Sequence, residues 1–133
     1  MMPTQVDQDS TIAAHRLLII EDNTDLNKLY SDKMRKAGHE VHQATTIQEA
    51  RYLLDQYRFD ILLCDIRMGD GLGTDLLKEH QAELSKNDTQ IIMVSAEPQY
   101  QSMCDEMGVE FFMAKPVALN TLVQLVERLL PKQ

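Results

Sequence analysis

Two hydrophobic patterns alternate along the chain. Short runs that are mainly apolar occur at 17–20, 60–64, 91–94 and 110–114, and a weaker run at 40–44 alternates polar and apolar residues. Runs this short are typical of strands, and the uninterrupted ones favour strands buried on both faces. After each run, apolar residues recur every three or four positions, which indicates an amphipathic helix. Five strands that alternate with five helices predict one α/β domain, with a parallel sheet covered on both faces.

The apolar positions also predict the faces and ends of the first two helices. Leu29 belongs to the apolar stripe that should form the buried face of the first helix. The second helix should be capped by Thr45 or Thr46, and Glu49 stands where the partner of Thr46 in a capping box is placed. Tyr57 should close the inner stripe of that helix.

Prolines and glycines mark the later helices. Pro98 suits the first turn of the fourth helix, where its missing N–H is no loss, and Gly108 should end that helix about three turns later. Pro131 should end the fifth helix, which has a strongly apolar face. The pattern therefore predicts a fourth helix of about three turns.

Polar residues follow the apolar runs where the strands should end. Glu21 and Asp22 follow the first run, Asp65 the third, Ser95 the fourth and Lys115 the fifth. The carboxyl ends of parallel strands meet at one edge of a sheet, where ligands bind in such folds. Three carboxylates at this edge would repel one another unless a cation joins them, and their hard oxygen atoms favour Mg²⁺. An aspartate, a lysine, a hydroxyl and Mg²⁺ could together form and stabilise an aspartyl phosphate.

Composition narrows the functional classes. The net charge is −8 and the basic residues are spread along the chain, so we expect no direct nucleic-acid binding. No segment approaches the ~20 apolar residues of a membrane helix. Cys64 and Cys104 lack disulfide-framework or zinc-site spacing, which favours a cytoplasmic setting. We expect a disordered leader at 1–15, one domain at 16–131 and no output domain in this chain.

From Arg16 to Leu130 the chain resembles the receiver domain of two-component response regulators. In that family an acidic pair closes the first strand, the phosphoacceptor aspartate closes the third, a threonine or serine closes the fourth, and Lys-Pro closes the fifth. The corresponding residues here are Glu21, Asp22, Asp65, Ser95, Lys115 and Pro116. The resemblance implies a flavodoxin-like doubly wound sheet with strand order 2-1-3-4-5.

The resemblance also implies which residues hold the metal and the phosphoryl group. Asp65 would be the phosphoacceptor. Mg²⁺ would be held by Asp65, Asp22 and the backbone carbonyl of Arg67, with Glu21 acting mainly through a water. Arg67 and Glu97 occupy two variable positions that tune phosphoryl lifetime in the family. We hypothesise that these two side chains pair over the site and shield it from attacking water.

The remaining implied roles concern switching. Ser95 could donate its hydroxyl to a phosphoryl oxygen, and Ala96 matches the small residue beside it. Lys115 would neutralise the phosphoryl oxygens, and Phe112 matches an aromatic switch position. The peptide bond before Pro116 is expected to be cis. The face formed by residues 97–130 would change conformation on phosphorylation.

Two positions depart from the family pattern. Gly69 stands where proline is usual, which predicts a looser loop after Asp65. Ala118 stands where an acidic helix cap is common, so the last helix should begin less firmly. Gly73 keeps its usual spacing from Asp65.

The predicted function is that of a phosphorelay receiver and not of an enzyme. A sensor histidine kinase or a phosphotransfer protein would supply the phosphoryl group, and a partner or a second copy would bind the 97–130 face. An aspartate-nucleophile phosphohydrolase is the alternative, but Arg67 stands where such enzymes place a second aspartate. A nucleotide-binding flavodoxin-like domain would need a glycine-rich loop after the first strand, which the sequence lacks. Signalling through protein contacts alone, without phosphorylation, is a further possibility.

Overall fold

The computed structural model of the chain describes residues 15–130. The leader expected over residues 1–15 falls outside the described residues, except for His15, and so does Pro131. In the part of the chain that is described, no helix combines the length and apolar composition that a bilayer span requires.

Five strands and five helices alternate within the described residues. The strands are β1 (Arg16–Ile20), β2 (Glu40–Ala44), β3 (Ile61–Asp65), β4 (Gln90–Ser95) and β5 (Phe111–Ala114). The helices are α1 (Thr24–Lys36), α2 (Ile47–Gln56), α3 (Gly73–Lys86), α4 (Tyr100–Glu106) and α5 (Leu119–Leu129). The strands form one parallel sheet in the order β2-β1-β3-β4-β5, which confirms the expected fold. A small antiparallel hairpin that the pattern did not predict pairs Arg67–Met68 with Gly71–Leu72.

The sheet is covered on both faces because alternate residues of its central strands face opposite ways. In β1, Leu18 and Ile20 join an apolar cluster that includes residues of α2, α3 and α4. Leu17 and Ile19 join a second cluster that includes residues of α1 and α5. Every residue of β3 is buried, so this strand lies at the centre of the core.

The register places the carboxyl ends of the strands at one level. Ile20 pairs with Ala44 on one side and with Cys64 on the other. Ser95 pairs with Ala114 at the far side of the sheet. The residues that follow the strands therefore emerge side by side along one edge, where the candidate site lies.

Two side chains predicted to face inward are exposed. Leu29 is 50% exposed, because the buried face of α1 follows Asn27, Tyr30 and Met34 at steps of three and four, and Leu29 lies outside that stripe. Tyr57 is 39% exposed, because it already lies past the last turn of α2 with extended backbone.

The N-terminus of α2 is capped differently from a capping box. Thr46 is the N-cap, and its hydroxyl accepts from the N–H of Glu49 at 3.0 Å, as predicted. The carboxylate of Glu49 accepts from the N–H of Thr45 at 2.8 Å, one residue before the position that the box requires. Both threonines therefore contribute to the start of the helix.

Helix α4 is shorter than predicted. It begins at Tyr100, and Pro98 lies in the turn before it. The N–H groups of Tyr100 and Gln101 bond three residues back, to the carbonyls of Glu97 and Pro98, so this first turn is tighter than an α-helix. Gly108 follows the helix with φ +81°, a left-handed conformation that glycine favours after a helix end.

Candidate functional site

Three acids and a lysine meet at the carboxyl edge of the sheet. Carboxylate oxygens of Glu21, Asp22 and Asp65 lie within 4.8 Å of one another. Lys115 Nζ lies 2.8 Å from Glu21 Oε1 and 3.0 Å from Asp65 Oδ2, and donates a charge-assisted hydrogen bond to each. The fold thus brings together four residues that follow or end three different strands.

Burial makes the electrostatics of this cluster strong. Glu21 and Asp65 are only 2% and 7% exposed, whereas Asp22 is exposed to solvent. Burial alone acts to lower the pKa of Lys115, but the hydrogen bonds and charges of Glu21 and Asp65 outweigh it, so this pKa lies above its ordinary value. Lys115 is therefore a fully charged ammonium group at neutral pH. Burial raises the pKa of Tyr30, which keeps the phenol beside the cluster neutral.

Backbone hydrogen bonds hold the site residues beyond the strand ends. The N–H of Glu21 donates to the carbonyl of Ala44 at 3.0 Å, and the N–H of Lys115 donates to that of Ser95 at 3.0 Å. Both bonds extend the pairing of the sheet by one residue. The acid and the lysine are therefore carried on ordered backbone.

The segment after Asp65 closes tightly on itself. The N–H of Gly73 donates to the carbonyl of Ile66 at 2.7 Å. A Cβ at Gly73 would lie 2.5 Å from the Asp65 carbonyl oxygen and 2.7 Å from Cys64 Sγ. Only glycine permits this approach of α3 to the end of β3.

Asp70 ties the hairpin to the start of α2. Its carboxylate accepts from the N–H of Ile47 at 2.8 Å and from that of Gln48 at 3.2 Å. The bond from Ile47 is the main reason that the pKa of Asp70 lies below its ordinary value. The prediction that Gly69 leaves a loose loop is therefore wrong, because the segment is a hairpin anchored by the Asp70 carboxylate.

Ser95 and Phe112 lie on the other side of Asp65. Ser95 is 2% exposed, and its hydroxyl accepts from the N–H of Glu97 at 2.9 Å. Ala96 is exposed next to it. Phe112 is half-buried and packs against the cluster beneath α2, α3 and α4. The Lys115–Pro116 peptide bond is cis.

Arg67 and Glu97, each two residues beyond the strand-end residues Asp65 and Ser95, form an ion pair. Arg67 Nε lies 3.3 Å from Glu97 Oε1. The side chains are 64% and 34% exposed, so solvent screens much of their attraction. The pair connects the hairpin after β3 with the loop after β4.

Sequence reasoning missed two residues that support the site, Asn27 and Asp70. Asn27 is wholly buried in α1. Its spacing of three and seven residues from Tyr30 and Met34 was the available signal, because these positions share one helix face. Asp70 gave no local signal, since the N–H groups that it accepts lie 23 and 22 residues earlier in the chain.

The donor set fits a hard divalent cation. Three carboxylates face one ammonium group, which leaves an excess of negative charge at the edge of the sheet. Carboxylate oxygens are ligands that Mg²⁺ prefers, and it usually keeps several waters. The exposure of Asp22 leaves one side of the cluster open to such waters. Within residues 15–130, this is the one such group of acids, histidines or cysteines found close enough to hold a metal.

Several known proteins are similar to this chain. The nisin biosynthesis regulatory protein NisR of Lactococcus lactis subsp. lactis is 30% identical over 115 residues, which cover 85% of this chain and 49% of NisR. The chain thus spans about half the length of this curated relative. A CheY-like response regulator receiver domain protein from Methanospirillum hungatei JF-1 is 28% identical, with a TM-score of 0.78 over 87% of this chain and 94% of that one.

A third protein shares the fold. The response regulator TrrA of Thermotoga maritima is 23% identical, with a TM-score of 0.77, and the match covers 87% of this chain and 99% of that one. The family model described as response regulator receiver domain matches residues 17–127, from β1 to the last turns of α5. Because this match spans nearly the whole described domain, the chain belongs to the receiver domains of response regulators, the phosphorelay switches of two-component systems.

Proposed function

We propose that this receiver accepts a phosphoryl group on Asp65 from a phosphohistidine of a sensor histidine kinase or phosphotransfer protein. The observation that carries the proposal is the bridge from Lys115 Nζ to Glu21 Oε1 and Asp65 Oδ2. It fixes a buried carboxylate beside a permanent positive charge. A carboxylate so placed can act as a nucleophile toward phosphorus.

The transfer exchanges one bond to phosphorus for another. A carboxylate oxygen of Asp65 attacks the phosphorus, and the bond from phosphorus to the donor imidazole nitrogen breaks. The nitrogen leaves with the bonding electron pair. The ammonium group of Lys115, 3.0 Å from Asp65 Oδ2, lies where it can neutralise charge on the phosphoryl oxygens.

Glu21, Asp22, Asp65 and the backbone carbonyl of Arg67 would hold Mg²⁺. A bound Mg²⁺ would supply further charge neutralisation for the phosphoryl oxygens. The convergence of the three carboxylates supports this ligand set. TrrA, which shares the fold, was solved in complex with Mg(2+)-BeF.

Ser95, Ala96, Lys115 and Phe112 are the proposed switch residues. The hydroxyl of Ser95 accepts a hydrogen bond from Glu97 N–H and keeps its own proton free to donate to a phosphoryl oxygen. Ala96 leaves room beside it. Half-buried Phe112 can repack when Ser95 moves, which would alter the 97–130 face for a partner or a second copy.

The Arg67–Glu97 pair is proposed to lengthen the life of the phosphoryl group by shielding it from water. The ion pair, which joins the segments that directly follow Asp65 and Ser95, supports this role. In Arg67→Ala and Glu97→Ala, the loaded protein should lose its phosphoryl group faster than the unsubstituted protein does. Unchanged dephosphorylation rates in both variants, measured by loss of the intact-mass adduct, would show that the pair has no such role.

The cysteines and the net charge support proposals on compartment and on partners. We place the domain in the cytoplasm, because Cys64 and Cys104 are both free and buried, as expected in a reducing compartment. The net charge of −8 argues against direct nucleic-acid binding. Catalysis would be limited to the domain's own phosphotransfer and dephosphorylation.

The test is phosphorylation by a small donor. The protein is incubated with Mg²⁺ and acetyl phosphate, and intact mass and peptide mapping locate an acid-stable, base-labile adduct. Asp65→Asn should abolish the adduct, whereas Asp25→Asn, an equal charge change at an exposed acid of α1, should keep it. Chelation of Mg²⁺ by EDTA should also prevent it. An adduct that survives in Asp65→Asn, or a folded unsubstituted protein that forms none, would overturn the proposal.

A further inference from the structure

A fully buried amide lies beneath the acidic pair. Asn27, in α1, is 0% exposed. Its Nδ2 lies 3.0 Å from the carbonyl oxygen of Glu21, 3.0 Å from that of Ala44 and 3.4 Å from that of Ile19. One side chain thus reaches the next-to-last residue of β1, the last residue of β2 and the first residue of the acidic pair.

The orientation of this amide is determined by its neighbours. Backbone carbonyls can only accept, so the NH₂ group must face them. On the other side, Oδ1 accepts from the hydroxyl of Ser31 at 3.1 Å and from Nε2 of Gln43 at 2.8 Å. Both ends of the Asn27 side chain are therefore paired within the protein core.

These contacts converge on the backbone of Glu21. The carbonyl of Ala44 accepts both from Asn27 Nδ2 and from the N–H of Glu21, which links the two residues through one oxygen. The carbonyl of Glu21 accepts from the same amide. Glu21 is thus held at its N–H and at its carbonyl, on the backbone that leads directly into Asp22.

We propose that Asn27 is a positioning residue for the Glu21–Asp22 pair. By holding the Glu21 backbone, it sets where the two carboxylates stand and thereby sets the affinity of the site for Mg²⁺. Asn27 touches neither the metal nor the phosphoryl group in this scheme. The inference deepens the proposed function and rests on its Mg²⁺ site.

The alternative is that Asn27 only fills and satisfies a polar part of the core. Both roles predict a loss of stability when the amide is removed, so stability alone does not separate them. They differ in metal affinity. Partners that orient metal ligands change affinity by about ten- to a hundredfold when removed, whereas a general packing defect acts on the folded fraction and leaves the affinity of folded molecules nearly unchanged.

The experiment measures Mg²⁺ binding by the full chain without phosphodonor, by titration calorimetry. Asn27→Leu removes the donors at similar volume, and Asn27→Thr is a smaller second variant. Either should weaken Mg²⁺ binding about tenfold or more. Ser31→Ala is the matched control, because it disturbs the same buried network without touching Glu21, and it should bind Mg²⁺ like the unsubstituted protein. Hydrogen exchange at the Glu21 amide should accelerate in the Asn27 variants and stay unchanged in the control.

Equal Mg²⁺ affinity in a folded Asn27 variant, or an equal loss in Ser31→Ala, would overturn the inference. If neither Asn27 variant folds, the inference is tested by NMR, from the side-chain NH₂ resonances of Asn27 in the unsubstituted protein. They should shift on Mg²⁺ addition together with the Glu21 amide, and their failure to do so would also overturn it. Absence of any Mg²⁺ binding by the unsubstituted protein would instead refute the proposed function, and the Glu21 exchange rates would still test the positioning role.

Discussion

The two halves of the site are held in different ways. The acidic half is formed by β1, β3 and the hairpin, and β3 is fully buried. It is held by Asn27, by Asp70 and by the close approach of α3 to the end of β3 at Gly73. The other half carries Ser95 and Lys115 and connects to β5, α4 and α5. There, β5 is a half-buried edge strand, and α4 and α5, like α3, begin without the side-chain cap that α1 and α2 have.

This difference indicates which part of the domain can respond to phosphorylation. Elements with few buried contacts, such as the half-buried edge strand β5, open at lower free energy than core elements do. A ligand shifts a conformational equilibrium only where a second state lies within a few kcal/mol. The acidic half is therefore expected to act as a rigid receptor for metal and phosphoryl group, and residues 95–130 as the part that moves.

Breaking the close approach at Gly73 should have the largest effect on the acidic half. Gly73→Ala places a Cβ 2.5 Å from the Asp65 carbonyl oxygen, and overpacking of this kind lowers the free energy of unfolding by about 1–3 kcal/mol or more. Urea unfolding followed by circular dichroism measures the loss.

Gly69→Ala, in the turn of the hairpin that precedes Gly73, is the matched control. The nearest atom to its Cβ would be Asp22 Oδ2 at 3.9 Å, an ordinary contact distance. Its free energy of unfolding should stay within about 0.5 kcal/mol of the unsubstituted protein. Equal effects of the two substitutions would show that the hairpin is not tightly closed on β3.

Removing the anchor between the hairpin and α2 should have an intermediate effect. Asp70→Ala leaves the N–H groups of Ile47 and Gln48 without their carboxylate, and loss of an N-terminal cap lowers the free energy of unfolding by about 1 kcal/mol. Asp75→Ala, the same charge change in the first turn of α3, should have a smaller effect. Hydrogen exchange at Ile47 should accelerate only in Asp70→Ala. Equal behaviour of the two variants would contradict the anchoring role.

Adding a cap to the other half should stabilise it slightly. Ala118 is the exposed N-cap of α5, with extended backbone and no side-chain hydrogen bond. Ala118→Asp should raise the free energy of unfolding by about 0.5–1 kcal/mol, because its carboxylate can accept from the first turn. Ala118→Leu, which lacks an acceptor, should give no gain. If both substitutions raised the free energy of unfolding, burial of apolar surface and not capping would limit the stability of the N-terminus of α5.

The smallest expected effect is the dependence of the free energy of unfolding on pH. The N–H of Ile47 lowers the pKa of Asp70, and the N–H of Thr45 lowers that of Glu49. Since the unfolded chain binds protons more readily at these groups, their contribution is present above about pH 4 and is lost as pH falls through the lowered pKa values. The amide resonance of Ile47 should report this titration below pH 4, and Asp70→Asn should abolish it. A midpoint at or above the ordinary aspartate pKa would contradict the assignment.

What sequence could predict depends on how far apart the interacting residues lie. The strands and the convergence of Glu21, Asp65 and Lys115 at one edge follow from apolar runs that end in polar residues, which is a local pattern. The strand order was implied by the family resemblance and not by that pattern. The Asp70 anchor escaped prediction because its partners lie 22 and 23 residues away in the chain. The Asn27 contacts escaped it because a buried amide bonds to backbone carbonyls at the ends of two strands, 6, 8 and 17 residues away, which no pattern of apolar residues reveals.

The wrong helix predictions have local physical causes. Leu29 was assigned to the core because it is apolar, yet the buried face of α1 includes the polar residues Asn27 and Ser31. Pro98 was predicted to lie in the first turn of helix α4, but it lies in a tight turn whose carbonyls accept from the first N–H groups of the helix. Apolar patterns do not reveal a buried polar network or a tight first turn.

Residue-resolved hydrogen exchange with and without phosphorylation is the direct test of whether residues 95–130 move while the acidic half stays rigid. The protein is compared with Mg²⁺ alone and with Mg²⁺ plus acetyl phosphate, with Asp65→Asn as control. We expect altered exchange across residues 95–130, nearly unchanged exchange in β1, in β3 and at Gly73, and no change in Asp65→Asn. Altered exchange of similar size in both halves, or confined to the acidic half, would contradict this expectation.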